Sequence, residues 1–171
     1  MDKDKVVEAL RSMVLIVDTR EHITDEFLLR IGDTGLPYTR RKLDFGDYAC
    51  MVTLDTGKVL SMEKAVVIER KMSLDELATC FCSQRERFVE EFERARAARA
   101  KTYLIVENGS FDKIINHEYG SQMNPNAFLA SLFAFMARYR CIVGFCTPEK
   151  TGRVIREIMM KETAERLFSY D

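Results

Sequence analysis

The sequence has only two histidines, His22 and His117, in 171 residues. A histidine-rich metal site is therefore excluded. Any metal must be held mainly by carboxylates, which favours a hard cation such as magnesium. It also lacks a charge excess: 26 Lys and Arg against 27 Asp and Glu leave a formal net charge of -1. The basic surplus that announces many nucleic-acid binders is missing, so any DNA contact needs locally clustered positive charge. Five cysteines, Cys50, Cys80, Cys82, Cys141 and Cys146, are odd in number and irregularly spaced, which argues against a disulfide framework. The single residue between Cys80 and Cys82 is too short a spacing for a zinc ribbon, so small buried thiols in a reducing compartment are expected. No apolar run approaches the ~20 residues of a membrane span, since the most apolar stretch, 127–137, is interrupted by Ser131. Residues 1–10 carry Asp2, Asp4 and Glu8 and no apolar core, so no signal peptide and a cytoplasmic location are expected.

What is present is a succession of short apolar runs alternating with helical patterns. Met13–Val17 reads as a buried strand, and residues 21–31 as a helix closed by Gly32. Residues 38–50 and 65–68 read as further strands, with Asp55-Thr56-Gly57 a hairpin turn before Lys58. Ser73 and Glu76 form a capping box for a helix with Leu74, Leu77, Ala78 and Phe81 on one face. A helix over 85–99 carries Phe88, Phe92 and Ala95 on one stripe and an i,i+4 pair, Glu90 and Arg94. Residues 103–106 read as a strand, 126–140 as a helix, 142–146 as a strand, and Thr147-Pro148 as the start of a last helix. This alternation predicts an α/β fold with a mixed central sheet flanked by helices. With no repeat, low-complexity tract or linker, one domain over 1–171 is expected, residues 1–12 being an N-terminal helical extension.

Acidic clusters terminate these strands: Asp18-Thr19-Arg20-Glu21, Gly46-Asp47-Tyr48, and Glu69-Arg70-Lys71 with Asp75 four residues on. Carboxylates from different strands, Asp47 and Glu69, can converge on one divalent cation. Such a cation lowers the pKa of a bound water and neutralises phosphate charge, which is what phosphodiester hydrolysis needs. Glu69 and Lys71 are two apart, so a strand sends both to one face and Arg70 to the other. Lys71 can then position the water, take its proton or stabilise an oxyanion. Singly, the Glu-Arg-Lys run is usually a solvated surface patch, Gly46-Asp47 is more often a turn, and Asp18-x-Arg20 can be an ordinary ion pair; their conjunction at successive strand ends carries the reading.

Together they resemble the XPF/Hef-type structure-specific endonucleases, the xeroderma pigmentosum group F family. The resemblance rests on Val17-Asp18-Thr19-Arg20-Glu21, Gly46-Asp47-Tyr48 and Glu69-Arg70-Lys71-Met72-Ser73-Leu74-Asp75, and extends through Gln84-Arg85 and Val106-Glu107. It implies a restriction-endonuclease-like three-layer core. It also implies a magnesium- or manganese-dependent cut of DNA near branches or single-strand/duplex junctions. Carried over, Asp47 and Glu69 are metal ligands and Lys71 the catalytic lysine, with Asp18, Arg20, Glu21, Arg70 and Asp75 completing the site. No stretch matches the tandem helix-hairpin-helix domain such nucleases usually carry, so a small stand-alone member of the phage or bacterial kind is expected. A catalytically silent DNA-binding subunit and a restriction- or recombination-type nuclease on the same core are the alternatives. Arg40, Arg41, Lys42, Arg85 and Arg87 are the candidate phosphate contacts. The helix around 127–137 is apolar nearly all round and needs a cover, either the last helix or a second copy of the chain in a homodimer. No membrane and no organic cofactor are expected.

Overall fold

The apolar run after Met13 forms the first of seven strands in a computed structural model that describes residues 1–169. In chain order the elements are α1 (Lys3–Arg11), β1 (Val14–Val17), α2 (Asp25–Thr34), β2 (Tyr38–Arg40), β3 (Tyr48–Thr53), β4 (Val59–Ser61) and β5 (Val66–Lys71). They continue with α3 (Leu74–Phe81), α4 (Arg85–Ala97), β6 (Lys101–Glu107), α5 (Phe111–Ile115), α6 (Pro125–Tyr139), β7 (Ile142–Cys146) and α7 (Pro148–Phe168). The sheet order is β2-β1-β3-β5-β6-β7, with β4 paired to β3. β3 runs antiparallel to β1, β4 and β5, whereas β5, β6 and β7 are mutually parallel and β1 is parallel to β2.

Helices cover both faces, giving three layers. On one face α1, α2 and α7 bury Val6, Phe27, Ile155 and Met159 against Leu15, Val17, Ile68 and Ile105. On the other, α3, α4 and α6 bury Phe81, Phe88 and Phe135 with Leu104 and Val106, and Ile16, Ala49 and Val67 pack with Ala95 of α4. The period-2 alternation of β5 decides the site. Val67 faces the α4 layer, and Glu69 and Lys71 follow it. Ile68 faces the α2/α7 layer, and Arg70 follows that.

Several sequence expectations shift. The second helix starts at Asp25, because Thr24 caps it by accepting from the Phe27 amide at 3.2 Å. It runs through Gly32 and is closed by Gly35, whose φ of 60° supplies the left-handed turn. Residues 38–50 are two strands rather than one, broken by a loop that buries Leu43 and Phe45 and ends at Gly46. The capping box is only half reciprocal: Ser73 accepts from the Glu76 amide, but Glu76 accepts from Met72 N at 2.7 Å. Arg94 donates to the Asp44 carbonyl at 2.8 Å instead of pairing with Glu90. α6 is not covered by α7, and one side of it, with Phe133 51% exposed, stays open. It buries Phe128, Leu132, Phe135 and Tyr139 in the cluster formed with α3 and α4, while α7 lies across the sheet. Phe128 and Phe135, expected on an exposed patch if α7 did not cover the helix, are thus core residues.

α2 and α7 cross at Gly152. A Cβ there would lie 2.2 Å from the Arg30 carbonyl oxygen and 2.8 Å from Asp33 Cβ. Because the first obstacle is backbone, Gly152→Ala must push the helices apart. We expect a loss of about 1–3 kcal/mol, read as a lower denaturation midpoint; an unchanged midpoint would contradict so tight a crossing.

Candidate active site

β1 delivers Asp18, whose carboxylate is wholly buried and fully engaged. It accepts from Arg20 N and Arg20 Nε, each at 2.7 Å, and from Leu43 N at 2.6 Å. Burial works to raise its proton affinity, but the Arg20 and Leu43 hydrogen bonds prevail and hold it below the usual carboxylate range. Asp18 N also donates to the Asp47 carbonyl at 2.8 Å, so this residue ties the β1 and β3 strand ends together from behind the site.

Gly46 precedes Asp47 with φ +73°, and a Cβ would come within 2.8 Å of Val67 Cβ, so the close approach of this turn to β5 requires glycine. Its amide donates to Glu91 Oε1 at 3.1 Å. Asp47 N donates to the Ile68 carbonyl, and Asp47 Oδ2 accepts from Arg70 N at 2.8 Å. The carboxylate is thereby aimed toward the end of β5. There Glu69, 3% exposed, receives the Lys71 ammonium on Oε1 at 2.6 Å. Its other oxygen, Oε2, is buried without any hydrogen-bond partner among the described residues. Lys71 Nζ lies 5.1 Å from the centre of the Phe88 ring and 3.8 Å from Glu76 Oε1.

Burial, then the neighbouring Glu69 charge, pushes the Asp47 carboxyl well above its ordinary range. Burial likewise raises Glu69, to about 7, although Lys71 opposes the shift. Lys71 is also raised: burial alone would lower it, but the Glu69 charge outweighs that, so the ammonium keeps its proton at any physiological pH.

Arg70 points the other way, as its strand position requires, and grips Glu107 at the end of β6 through Nε (2.8 Å) and a terminal nitrogen (2.7 Å). Glu107 also accepts from the Thr151 hydroxyl at 2.6 Å. Burial would raise Glu107, but the Arg70 and Thr151 hydrogen bonds hold it low.

Arg20, Glu21, Asp47, Glu69, Arg70 and Lys71 line one cleft of about 1050 Å³. Two of the expected catalytic residues are not on it. Asp18 lies behind, and Asp75 turns away to accept from the Ser121 amide at 2.5 Å. Of the five candidate phosphate contacts, only Arg87 lines the cleft. Arg40 braces the turn after β1 by donating to the Thr19 and Glu21 carbonyls at 2.8 and 2.6 Å. Arg41 pairs with Glu63, Arg85 donates to the Phe81 carbonyl, and Lys42 is exposed outside the cleft. Sequence reasoning passed over Glu91, which reads as one more acid on a charged helix, and Arg30, considered below.

Among the described residues no group of three or more His, Cys, Asp or Glu side chains is arranged to hold a metal ion. The pair Asp47 and Glu69 nevertheless fits a hard divalent cation. Both are electron-rich oxygen donors short of hydrogen bonds, and magnesium or manganese sites commonly use one or two carboxylates with waters and phosphate oxygens completing the shell. No helix among the described residues is long and apolar enough to cross a membrane.

The profile of one family, the ERCC4 domain, matches residues 17–158. Among solved structures, XPF from Aeropyrum pernix superposes with a TM-score of 0.61 at 19% identity, covering 92% of this chain and 69% of that one. XPF from Aeropyrum pernix in complex with DNA gives 0.60 at 21% identity, covering 90% and 66%. The chain thus spans about two thirds of the length of each, and both likenesses concern the fold. Comparison with curated proteins gives no match.

Proposed function

Because the chain belongs to the ERCC4 domain family, we propose that it is a magnesium- or manganese-dependent endonuclease that hydrolyses DNA phosphodiesters at branches or single-strand/duplex junctions. The observation that carries this reading is the buried, unpartnered Oε2 of Glu69 beside Asp47, in the same cleft as Lys71. An orphaned carboxylate oxygen held out of water costs stability unless something positive meets it. Asp47 and Glu69 would hold the cation, which when bound supplies an activated water and neutralises phosphate charge.

The remaining chemistry belongs to the chain. Lys71, fixed between Glu69 and the Phe88 ring, is placed to donate to the scissile phosphate. The Arg70 amide orients Asp47. Arg87, exposed on the cleft wall, is placed to meet a flanking phosphate. The unpaired cysteines, Cys50, Cys80 and Cys141 among them buried, fit a reducing compartment, and we propose the cytoplasm.

Labelled single-stranded, duplex, flap and fork DNA, incubated with magnesium, manganese or chelator, tests the function. We expect cuts in the flap or fork, dependent on the cation. Undiminished cleavage in chelator would remove the metal from the mechanism, and intact DNA under every condition would remove the nuclease.

A further inference from the structure

One buried guanidinium at the cleft belongs to none of the strand-end motifs. Arg30, on α2, is 6% exposed and shares the inward face of that helix with Phe27, Ile31 and Thr34. A charge removed from water must be matched by others, and the hydrogen-bond and ion-pair partners of Arg30 are Glu21 and Glu107, which line the cleft, and Tyr48, which follows Asp47. Its Nε donates to Tyr48 OH at 2.9 Å, and a terminal nitrogen donates to Glu21 Oε2 at 3.1 Å. Tyr48 OH donates to the same Glu21 oxygen at 2.9 Å, closing a three-membered ring of contacts. The other terminal nitrogen is 4.0 Å from Glu107 Oε1, the oxygen that also accepts from Arg70 Nε and Thr151. The glycine crossing explains how one carboxylate meets both helices. Gly152 lets α7 settle against the Arg30 backbone, which brings the preceding residue, Thr151, and Arg30 to Glu107 together.

We propose that Arg30 is a positioning residue of the cleavage site. It pins Glu21 against Tyr48 and, with Arg70, neutralises Glu107, so that neither carboxylate turns into the space where Asp47 and Glu69 would receive the cation and the phosphate. This rests on the nuclease reading. A purely structural ion cluster would affect stability alone; a positioning role separates turnover from metal affinity. Freed from Arg30, Glu21 adds negative charge near the cation, which strengthens binding or leaves it level while the reactive geometry is lost.

The experiment uses Arg30→Gln, Arg30→Lys and Glu21→Gln singly, and each Arg30 variant combined with Glu21→Gln. Each variant is titrated with manganese by calorimetry, melted, and assayed for kcat and KM on a DNA that the wild type cleaves. Arg30→Gln should lower kcat by about 10–100-fold, as loss of a residue supporting a metal site commonly does, without weakening manganese binding. Arg30→Lys keeps the charge but cannot form the forked contact, so it should melt near the wild type yet share the loss in kcat. If Arg30→Gln does not fold, the lysine variant carries the test. Adding Glu21→Gln to Arg30→Gln should cost little more, because the two act through one contact. The proposal is overturned if kcat, manganese affinity and Tm fall together and lysine restores all of them, if the Arg30 and Glu21 effects multiply, or if the Arg30 variants match the wild type. A wild type that neither takes up manganese nor cuts DNA would instead overturn the nuclease reading itself.

Discussion

Lys71→Met should reduce kcat by a factor on the order of 10² to 10³, the range seen when one preorganised donor to a developing charge is removed. Methionine keeps the unbranched stem that runs past Phe88, so packing survives. What disappears is the ammonium at 2.6 Å from Glu69 Oε1. Removing one member of a buried ion pair leaves the other uncompensated. Glu69 would then hold two oxygens without a protein donor, since Oε2 already has none. The metal-free variant should accordingly melt below the wild type, and saturating manganese should recover most of the difference, because the cation supplies the missing positive charge. Cleavage should not recover with it. Assays of turnover and Tm across a manganese series separate the two effects. Turnover close to the wild type would remove Lys71 from the chemistry, and a melting deficit that manganese does not relieve would show that Glu69 does not face the cation.

Residues that share a strand were the most legible. The two-residue spacing of Glu69 and Lys71 sends both to the Val67 side, and Arg70 to the other, with no tertiary information needed. The mixed sheet and its two helical layers were also readable, because the buried strands are short apolar runs and most helices carry an apolar stripe. Contacts set by tertiary packing were not. Asp75 follows Lys71 in sequence but begins a helix whose first turn faces the 120–121 loop, so the motif spacing says nothing about where its carboxylate goes. Arg40 and Arg41 look like phosphate contacts in a basic run, yet their geometry spends them on the Thr19 and Glu21 carbonyls and on Glu63. Arg30 did leave a signal: it stands three residues after Phe27 and one before Ile31, on the apolar stripe of α2, where a solvated arginine does not belong. For α6, apolarity all round does not tell which face is buried or against what: Phe128 and Phe135 pack against α3 and α4, not α7, and Phe133 stays exposed.

Asp47→Asn should lose manganese binding and cleavage while making the metal-free protein more stable. Asp47 and Glu69 both bind protons more tightly in the folded state, Asp47 because of burial and the Glu69 charge, Glu69 because of burial to the point of about 7. The sign follows from linkage. A folded-state pKa raised above the unfolded value contributes stability that is present below the unfolded pKa and lost as pH rises through the folded one. The metal-free wild type should therefore melt progressively lower from roughly pH 5 to roughly pH 8 as these carboxylates are forced to ionise. Asparagine removes one of the two charges and keeps an oxygen to accept from the Arg70 amide, which Asp47 Oδ2 now does at 2.8 Å. The variant should gain on the order of 1–3 kcal/mol near pH 8, and the gain should shrink toward pH 5 as Glu69, raised to about 7, takes up its proton. Manganese should stabilise the wild type and not the variant. Melting curves at both pH values, with manganese or chelator, decide it. A variant less stable than the metal-free wild type near pH 8, or one stabilised by manganese to the same extent, would show that Asp47 is held for the fold and not for a cation.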